Sequence, residues 1–393
     1  MGLPGAPAGA AAAAAAQRTP HSGAGGLGGD GGRPDRRLSA AHAWRLAPDR
    51  PYRSAHVHPR PRSAAAAAHR RPGQVLRAQL SEQRAVLRVE KPGLHCTLQD
   101  LGRPGHRLAG VPPGGAMDRF AIAAANRLVG NPESAGALEA LLEGPALVAL
   151  EGCLVAVGGG DFQPRVNGVE APGWTAFWLA PGDRLSFAGR RSGARAYVAC
   201  AGGLAGDRWL GSVATYQLVG RGGLEGRPLR AGDELALAAE PAHPAVVGRR
   251  LPEDRRPAYG DEPDLATIRG PHFERLGAAS RRRLFSTWWE VSREADRMGY
   301  RLQGDPLELR GEELISFGLA FGCVQVPASG QPILLMADHQ TAGGYPAVAG
   351  VARAALPLAA QLLPGRRLRF RETSVTDAQA EWWTLRAQLD AIA

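Results

Sequence analysis

The stretch APGDRLSF, residues 180–187, points to the fold class, because it joins a turn containing glycine to a short alternating strand. The same phrase recurs as RAGDELAL at 230–237 and as LPGRRLRF at 363–370. In each copy a glycine precedes a polar pair and an alternating apolar segment, which is typical of the start of a β-hairpin. From about residue 84 onward, short apolar runs are broken by glycine or proline roughly every 8 to 12 residues. These features predict a mainly β protein built from two similar β-barrels.

Few helices are predicted. The stretch MDRFAIAAANRLVGNP, residues 117–132, begins with Asp118 in an N-cap position and ends at a Gly-Asn-Pro stop. Near the C-terminus, Thr376 and Gln379 have the spacing of a capping box. Beyond them a stripe at helical spacing is expected to pack against the second barrel: Trp382, Leu385, Leu389 and Ile392.

The chain is expected to divide into a leader, two barrels and a linker. Residues 1–83 form a low-complexity leader rich in alanine, glycine and arginine. Its lack of apolar periodicity predicts disorder, while its composition also suits a transit peptide or a start codon placed too far upstream. We predict the first barrel over 84–240, a linker rich in proline and arginine over 241–263, and the second barrel with a C-terminal helix over 264–393.

The charge of the chain argues against nucleic-acid binding. The formal net charge is +10, and residues 1–80 contain 12 Arg, no Lys, 3 Asp and no Glu, a net of +9. The remaining residues therefore carry about +1, so the predicted barrels have no basic binding face. No run approaches the roughly 18 apolar residues that span a membrane.

Cysteine and lysine usage excludes further classes of site. The 4 cysteines are scattered without CxxC or Cys/His ligand spacing, which predicts no metal site, no disulfide framework and a reduced cytoplasmic location. Lys91 is the sole lysine, so the chain has neither a Walker A loop nor a biotin-accepting lysine. Arginine and backbone N–H groups must therefore neutralise any bound phosphate or carboxylate.

A first polar cluster lies in TLQDLGRPGHRLAGVPPGGAMD, residues 97–118. It places Gln99, Asp100 and Arg103 in one loop with glycine and proline. Either Arg103 binds an anion that Asp100 helps to orient, or the two form an ion pair that fixes the loop.

A second cluster surrounds the predicted helix. Asp118 is either its N-cap or a ligand-binding group. Asn126 lies among alanines, where it either caps a neighbouring backbone segment or points at a ligand. Glu139 poses the same choice.

The third cluster lies in FGCVQVPASGQPILLMADHQTAGGYP, residues 321–346, and its polar residues are Gln325, Gln331, Asp338, His339, Gln340 and Thr341. Glutamine amides can recognise an amide substrate, because they donate and accept together, or they can simply bond neighbouring strands. Gly343 and Gly344 would let the backbone approach a ligand closely. We expect the segments around residues 100, 126 and 340 to meet in one pocket.

At these clusters the chain resembles a known family in six segments, which run in the family's order from about residue 86 to 372: PGLHCTLQDLGRPGHRLAGVPPGGAMD, AANRLVGN, LEALLEGPAL, LGSVAT, ADRMGYRL and GCVQVPASGQPILLMADHQTAGGYP. The family is the biotin-dependent carboxyltransferase-like family, also called allophanate hydrolase subunit 2. Its bacterial stand-alone members are typically the C subunit of an ATP-dependent 5-oxoprolinase.

The resemblance implies two cyclophilin-like β-barrels and a heteromeric complex with proteins of the 5-oxoprolinase B-subunit and A-subunit types. That complex uses ATP to open the lactam 5-oxoproline to glutamate. The resemblance implies that the complex binds ATP, but it does not assign the ATP site to this chain. One alternative is the carboxyltransferase subunit of a urea or amide carboxylase, with biotin supplied in trans because this chain carries no biotinyl lysine. Another is a non-enzymatic regulator of a sporulation kinase inhibitor, which acts through its partner subunit.

The implied chemistry assigns roles to the clusters. ATP phosphorylates the lactam oxygen, so cationic and N–H donors are needed around phosphate and a carboxylate is needed for protons. We expect Arg103, Arg297 and the Gly343–Gly344 backbone to bind phosphate, and Asp338 with Asp100 to act in catalysis. The remaining expected binding residues are Gln99, Asp118, Asn126, Gln325, Gln331, Gln340, Thr341 and Tyr345.

The chain departs from the family pattern at three positions. Phe317 stands where an acidic residue is usual, Gly114 where serine is usual, and Ala214 where serine is usual. If these positions touch the substrate, the activity has shifted or been lost, whereas the fold is unaffected.

Overall fold

The computed structural model describes residues 84–241 and 247–392. The predicted leader at 1–83 lies outside the described residues, and so do residues 242–246 of the predicted linker. No helix in this described part is long and apolar enough to cross a lipid bilayer.

The described residues form twenty strands and four α-helices. The strands are β1 Ala85–Lys91, β2 His95–Gln99, β3 Ala137–Leu141, β4 Ala146–Ala149, β5 Cys153–Gly159, β6 Pro164–Val166, β7 Val169–Glu170, β8 Ala176–Leu179, β9 Arg184–Phe187, β10 Arg195–Cys200, β11 Glu234–Ala236, β12 Asp264–Arg269, β13 Trp289–Val291, β14 Gly299–Gln303, β15 Phe317–Gly318, β16 Cys323–Gln325, β17 Ile333–Leu335, β18 Ala342–Gly343, β19 Ala347–Val351 and β20 Arg367–Glu372. The helices are α1 Arg119–Leu128, α2 Ala278–Ser286, α3 Leu356–Ala360 and α4 Val375–Asp390. Short 3₁₀ turns lie at Arg107–Ala109, Gln217–Val219, Glu253–Arg255 and Phe273–Arg275.

The strands β1 to β11, which we call the first half, form two antiparallel sheets. One has the order β11-β1-β4-β9-β6-β7 and the other the order β2-β3-β10-β5-β8. Apolar side chains of both sheets, among them Leu87, Leu98, Leu147 and Val155, share one buried core. Helix α1 packs against β5 and β10.

The strands β12 to β20, which we call the second half, include a closed barrel with the order β12-β19-β16-β17-β14-β13-β20. The parallel pair β12 and β20 closes it, and its interior is filled by side chains such as Trp289, Val324 and Phe370. The strands β15 and β18 form a separate two-stranded ribbon. The predicted fold class, mainly β with few short helices and a C-terminal helix, is confirmed. Barrel closure is observed in the second half, whereas the boundaries 84–240 and 264–393 stay a prediction.

The repeated turn sequence precedes a strand in all three copies. Gly182, Gly232 and Gly365 each lie two residues before a strand, with φ of +89°, +89° and +80°. No heavy atom lies within 4 Å of a Cβ added at any of them. The left-handed backbone alone therefore requires glycine there, since space does not.

Both predicted helices are present, with differences at α4. Asp118 Oδ1 accepts from the Ala121 N–H over 2.9 Å, so it caps α1 as predicted. The cap of α4 is Ser374, whose Oγ accepts from the Asp377 N–H over 3.1 Å, rather than a box from Thr376 to Gln379. The last two residues of the C-terminal stripe, Leu389 and Ile392, were expected to pack against the second barrel. They are instead buried in the cluster around the alanine-rich α1. Those small alanines leave room that the larger side chains of α4 fill.

Candidate active site

Arg297 is the centre of a buried charged cluster that joins the two halves of the chain. Its Nε donates to Asp338 Oδ2 over 2.7 Å, and its Nη2 lies 3.3 Å from Asp338 Oδ1. Its Nη1 donates to Glu139 Oε1 over 2.5 Å and its Nη2 to the Gly115 carbonyl over 2.6 Å. The exposed fractions of the Arg297, Asp338 and Glu139 side chains are 16%, 11% and 6%.

The backbone around β14 and β17 places Arg297 beside Asp338. These two strands pair antiparallel, and the pairing continues past their ends: the Met336 N–H donates to the Met298 carbonyl over 3.0 Å and the Asp338 N–H to the Arg297 carbonyl over 2.8 Å. The carboxylate of Asp296 accepts from the N–H groups of residues 298 and 299 and fixes the turn. Two residues that are 41 positions apart therefore lie side by side.

Nearby carboxylates keep the guanidinium of Arg297 protonated. Burial lowers the pKa of its guanidinium, but the carboxylates of Asp338 and Glu139 outweigh burial and raise the pKa above the ordinary value. Its N–H groups bond two carboxylates and the Gly115 carbonyl, so it holds Asp338 in position. The expectation that Arg297 binds phosphate stays a prediction.

A chain of buried hydrogen bonds extends from Glu139 into the first half. Glu139 Oε2 accepts from the Tyr197 hydroxyl over 2.7 Å and from the Met117 N–H over 2.8 Å. The same hydroxyl accepts from the Asp118 N–H over 2.8 Å. Burial, followed by the nearby Glu139 and Asp118, raises the pKa of Tyr197, which keeps it a hydrogen-bond donor.

Asp118 belongs to this chain of bonds and is fully buried. Its Oδ2 accepts from the Tyr259 hydroxyl over 2.6 Å and from Gln361 Nε2 over 2.9 Å. Burial raises the pKa of the Asp118 carboxyl, although those two bonds and the Ala121 N–H act in the opposite direction. Both of its oxygens are bonded within the protein, so Asp118 caps α1, and its expected contact with substrate stays a prediction.

Arg103 brings an unsatisfied cation to the same region. It is 1% exposed, and its Nη2 donates to the Ala214 carbonyl. Its Nε and Nη1 are buried and have no partner among the described residues. The guanidinium lies 5.0 Å from the ring centroid of Trp209 and 5.7 Å from that of Tyr216. Burial lowers its pKa, and N–H groups left unbonded in such a place cost free energy until an acceptor arrives.

Gly114 lies against both Arg103 and Asp338. A Cβ added at Gly114 would be 2.8 Å from Arg103 Nη1 and 3.3 Å from Asp338 Oδ1. Its φ is +60°, in the left-handed region. The unsatisfied guanidinium and the Asp338 carboxylate therefore both lie against Gly114, too close for a side chain at that position.

Asp100 was expected to act in catalysis, and in the structure its carboxylate is bonded to neighbouring loop groups. Its Oδ1 accepts from the Gly102 N–H over 2.7 Å and from Ser212 Oγ over 2.6 Å, and its Oδ2 accepts from the Val213 N–H over 2.8 Å. The first bond fixes the loop of Arg103 internally, and the other two hold that loop against residues 212 and 213. Asp100 thus positions Arg103, and its expected catalytic role stays a prediction.

Asn126 uses all of its polar atoms locally in the structure, and its expected contact with a ligand stays a prediction. Its Nδ2 donates to the Ala135 carbonyl over 2.9 Å and lies 3.3 Å from the Glu133 carbonyl, while its Oδ1 accepts from Asn131. The alternative that it caps neighbouring backbone describes its contacts.

Gln99 and Gln331 are also engaged with protein groups. Gln99 Nε2 donates to Thr97 Oγ1 over 3.0 Å, and its buried Oε1 has no partner among the described residues. Gln331 bonds both backbone groups of Gly304, at 2.8 and 3.0 Å. Gln331 and Asp338 flank opposite ends of strand β17, so the structure places Gln331 away from Asp338, and its expected role in binding stays a prediction.

The remaining predicted residues form a cluster beside the ribbon of β15 and β18. Gln325 is buried, and its Nε2 donates to the Tyr345 carbonyl over 3.0 Å. Its Oε1 accepts from Gln340 over 3.2 Å. A Cβ added at Gly343 would lie 3.0 Å from Leu319, so this backbone approaches its neighbours closely. Thr341 and Gly344 are half-buried, and the Thr341 carbonyl accepts from the Leu319 N–H.

Six residues that contact Glu139, Asp118, Asp100 or Arg103 were not singled out from the sequence: Tyr197, Tyr259, Gln361, Ser212, Trp209 and Tyr216. Each is a single polar or aromatic residue in an ordinary strand or loop, so local pattern gives no signal for them. Glu139 was singled out from the sequence, but its bond to Arg297, 158 positions away, was not foreseen.

Comparison with known proteins agrees with this architecture. A family model, the carboxyltransferase domain, subdomain A and B, matches residues 109–372. The C subunit of 5-oxoprolinase from Escherichia coli (strain K12) is 36% identical over 300 residues, which cover 75% of this chain and 93% of that protein. A putative urea carboxylase of Emericella nidulans is 33% identical over 308 residues, which cover 75% of this chain and 24% of that protein.

A solved structure has the same fold. The crystal structure of the Kluyveromyces lactis urea carboxylase superimposes with a TM-score of 0.74 and 27% sequence identity. The match covers 79% of this chain and 29% of that one.

Proposed function

We propose that this chain, which belongs to the carboxyltransferase-domain family, is the C subunit of an ATP-dependent 5-oxoprolinase that opens 5-oxoproline to glutamate. The observation that carries the proposal is coverage: the similarity spans 93% of the 5-oxoprolinase C subunit of Escherichia coli, but 24% of the putative urea carboxylase. A chain that matches nearly the whole of a separate subunit is best explained as such a subunit. It would act with partners of the 5-oxoprolinase B-subunit and A-subunit types.

The two groups that meet at Gly114, the Arg103 guanidinium and the Asp338 carboxylate, suit the chemistry of this substrate. 5-Oxoproline is a lactam that also carries a carboxylate, so it presents an anion and an amide together. The unbonded Nε and Nη1 of Arg103 can bind an anionic oxygen, with the geometry that arginine offers to carboxylate or phosphate. Asp338, fixed by Arg297, is then the carboxylate that can hold or transfer a proton at the lactam.

Because Arg103 is 1% exposed, we infer that the loop 104–112 moves to admit substrate. This loop is closed at its base, where the Arg103 N–H donates to the Pro113 carbonyl over 2.7 Å. Near its tip, Arg107 Nη1 donates to the Leu319 carbonyl of the second half over 3.1 Å. Opening of the loop would break that contact and admit substrate, and closure would exclude water from the lactam.

We assign ATP to the assembled complex and not to a nucleotide loop of this chain. The sole lysine, Lys91, lies in strand β1 and is exposed, away from any glycine-rich phosphate loop. The same lack of lysine supports a protein without covalently attached biotin. Arg103 is the buried group of this chain best placed to neutralise an oxygen of a phosphorylated lactam.

The test is co-expression with the A-type and B-type 5-oxoprolinase partners from the same source, followed by an assay of 5-oxoproline-dependent ATP hydrolysis. We expect D338N to lower kcat by roughly 10²-fold or more, as for loss of a general acid or base. D305N is the matched control, because Asp305 is exposed, and it should retain activity. Full activity of D338N would remove Asp338 from the mechanism, and a complex inactive on 5-oxoproline would refute the proposal.

A second candidate is a carboxyltransferase subunit that acts on urea or another amide, with carboxybiotin on a separate protein. The TM-score of 0.74 to the Kluyveromyces lactis urea carboxylase favours it. The two candidate functions can be distinguished by assaying the chain with 5-oxoprolinase partners and, separately, with biotin carboxylase partners. Bicarbonate- and biotin-dependent ATP turnover on urea would support the second, whereas turnover on 5-oxoproline without biotin would support the first.

A further inference from the structure

We propose that a cleft between α1, α4 and the second barrel binds a small organic anion with an apolar body, a carboxylate being the simplest such group. The cleft has a volume of about 350 Å³. It is lined by neither Arg103 nor any member of the Arg297, Asp338 and Glu139 cluster. Its size lies at the lower end of the range for small-molecule sites.

The walls of the cleft are apolar and come from several elements. Phe120 projects from α1, and Phe321 comes from the segment before β16. Trp382 and Leu385 come from α4, and Leu356 begins α3. Helix α4 lies beyond residues 109–372, which are the part that the family model matches.

The charge along the cleft is strongly positive. Four arginines line it, Arg107, Arg119, Arg353 and Arg386, against a single carboxylate, Glu133. Glu133 is already bonded to Arg386 Nη1 over 2.6 Å, and from outside the cleft to Arg127 Nε, also over 2.6 Å. Within residues 84–241 and 247–392, no carboxylate lies within ion-pairing distance of the other three arginines. Three positive charges are therefore left for a ligand to neutralise.

Arg119 carries the most direct sign of a missing acceptor. Its Nε is buried and has no hydrogen-bond partner among the described residues. Its Nη2 is bonded only weakly, to the Gly114 carbonyl over 3.2 Å, and its guanidinium lies 5.4 Å from the ring centroid of Phe321. Burial lowers the pKa of Arg119, and the like charges of Arg353 and Arg107 act in the same direction. A bound anion would remove both costs.

Arg353 provides a second contact on the α4 side. Its guanidinium lies 4.0 Å from the ring centroid of Trp382, within the range of a cation–π contact. Burial lowers the pKa of Arg353, and Arg386 adds to the effect. A carboxylate between Arg119 and Arg353 would pair with both, while its apolar body would pack on Phe321 and Trp382.

The experiment uses the full chain without partners or ATP, so its outcome is independent of the proposed oxoprolinase activity. Isothermal titration with 4-phenylbutanoate and with 4-phenylbutan-1-ol compares the same body with and without the charge. We expect the acid to bind at least tenfold more tightly than the alcohol. Comparable affinities, or no binding of the acid at millimolar concentration, would overturn the proposal.

Variants locate the site. R119Q and R353Q should each weaken binding of the acid at least fivefold, whereas R353K, which keeps the charge, should lose less. R282Q is the control, because Arg282 is an exposed arginine on α2. This variant should bind the acid as the unchanged chain does. Thermal denaturation of each variant checks that it is folded. Unaltered affinity in the folded R119Q/R353Q double variant would place the anion elsewhere and refute the assignment.

Discussion

Arg297 donates to Asp338 of the second half over 2.7 Å while its other nitrogen, Nη1, donates to Glu139 of the first half. One buried guanidinium thus holds two carboxylates that reach it from different sheets. Because a buried carboxylate is costly without its counter-ion, the three side chains must be kept or replaced together. The same cluster fixes the position of Asp338 beside the unsatisfied Arg103.

The first prediction concerns the stability of this cluster. Replacing Arg297 with methionine leaves Asp338 and Glu139 buried without a cation. We expect R297M to lower the free energy of unfolding by about 3–5 kcal/mol, the usual cost of breaking a buried pair by removing one partner. Urea denaturation followed by circular dichroism measures the change.

Arg301 supplies the matched control, since it lies four residues further along and pairs with Glu294 at the surface. The exposed fractions of these two side chains are 59% and 75%. R301M should therefore cost at most about 1 kcal/mol. A loss in R297M no larger than in R301M would contradict the view that the buried cluster joins the two halves.

The second prediction tests the close contact at Gly114. Both Gly114 and Gly110 have positive φ, +60° and +75°, but a Cβ meets Arg103 and Asp338 at the first and nothing within 4 Å at the second. G110A should lose about 1–2 kcal/mol through backbone strain alone. G114A should lose more and should also raise KM for 5-oxoproline in the complex, because the Cβ enters the proposed substrate space. Equal effects of the two substitutions would show that this space is not used.

The elements of the fold were largely predictable from local pattern. The turn phrase around Gly182, Gly232 and Gly365 marked three strands correctly, since glycine there is required by φ and not by distant neighbours. The cap of α1 was likewise local, because Asp118 bonds an N–H three residues away. Where α4 packs was not predictable, because its partner α1 is more than 240 residues earlier in the sequence.

The site was predictable in residue type but not in role. Arg103 and Asp338 were expected together, and the structure places both against Gly114. Arg297 and Asp100 were expected to act on substrate, yet each is bonded to protein groups whose positions depend on tertiary pairing. Sequence shows which side chains can form hydrogen bonds, whereas only the fold determines which bonds are already made.

The third prediction follows from the local bonds of Asn126. N126A removes its bonds to the segment 131–135, including those to the part-buried carbonyls of Glu133 and Ala135, which costs about 1 kcal/mol per lost bond. We expect a lower Tm with no change in KM for 5-oxoproline, whereas R103Q should raise KM. Thermal denaturation and steady-state kinetics of the complex separate the two effects. A raised KM in N126A at unchanged Tm would return Asn126 to the binding site.

The last prediction concerns pH and His339, which is fully buried. Its Nδ1 lies 2.6 Å from the Gln340 carbonyl, and its Nε2 has no partner among the described residues. Burial lowers its pKa from 6.5, with Arg107 and Arg119 acting in the same direction and the Gln340 carbonyl and Asp338 in the opposite one. The neutral imidazole is therefore the form that the folded chain accommodates.

The sign of the effect follows from linkage. As pH falls through about 6.5 the unfolded chain takes up a proton on His339 before the folded chain does, so stability falls with pH. Between about pH 7.5 and pH 5 the unchanged chain should lose more stability than H339Q, whose side chain does not titrate. Urea midpoints at the two pH values measure the difference, and H95Q is the control because His95 is at the surface. If H339Q keeps the full pH dependence while H95Q abolishes it, the buried neutral imidazole is not the group responsible.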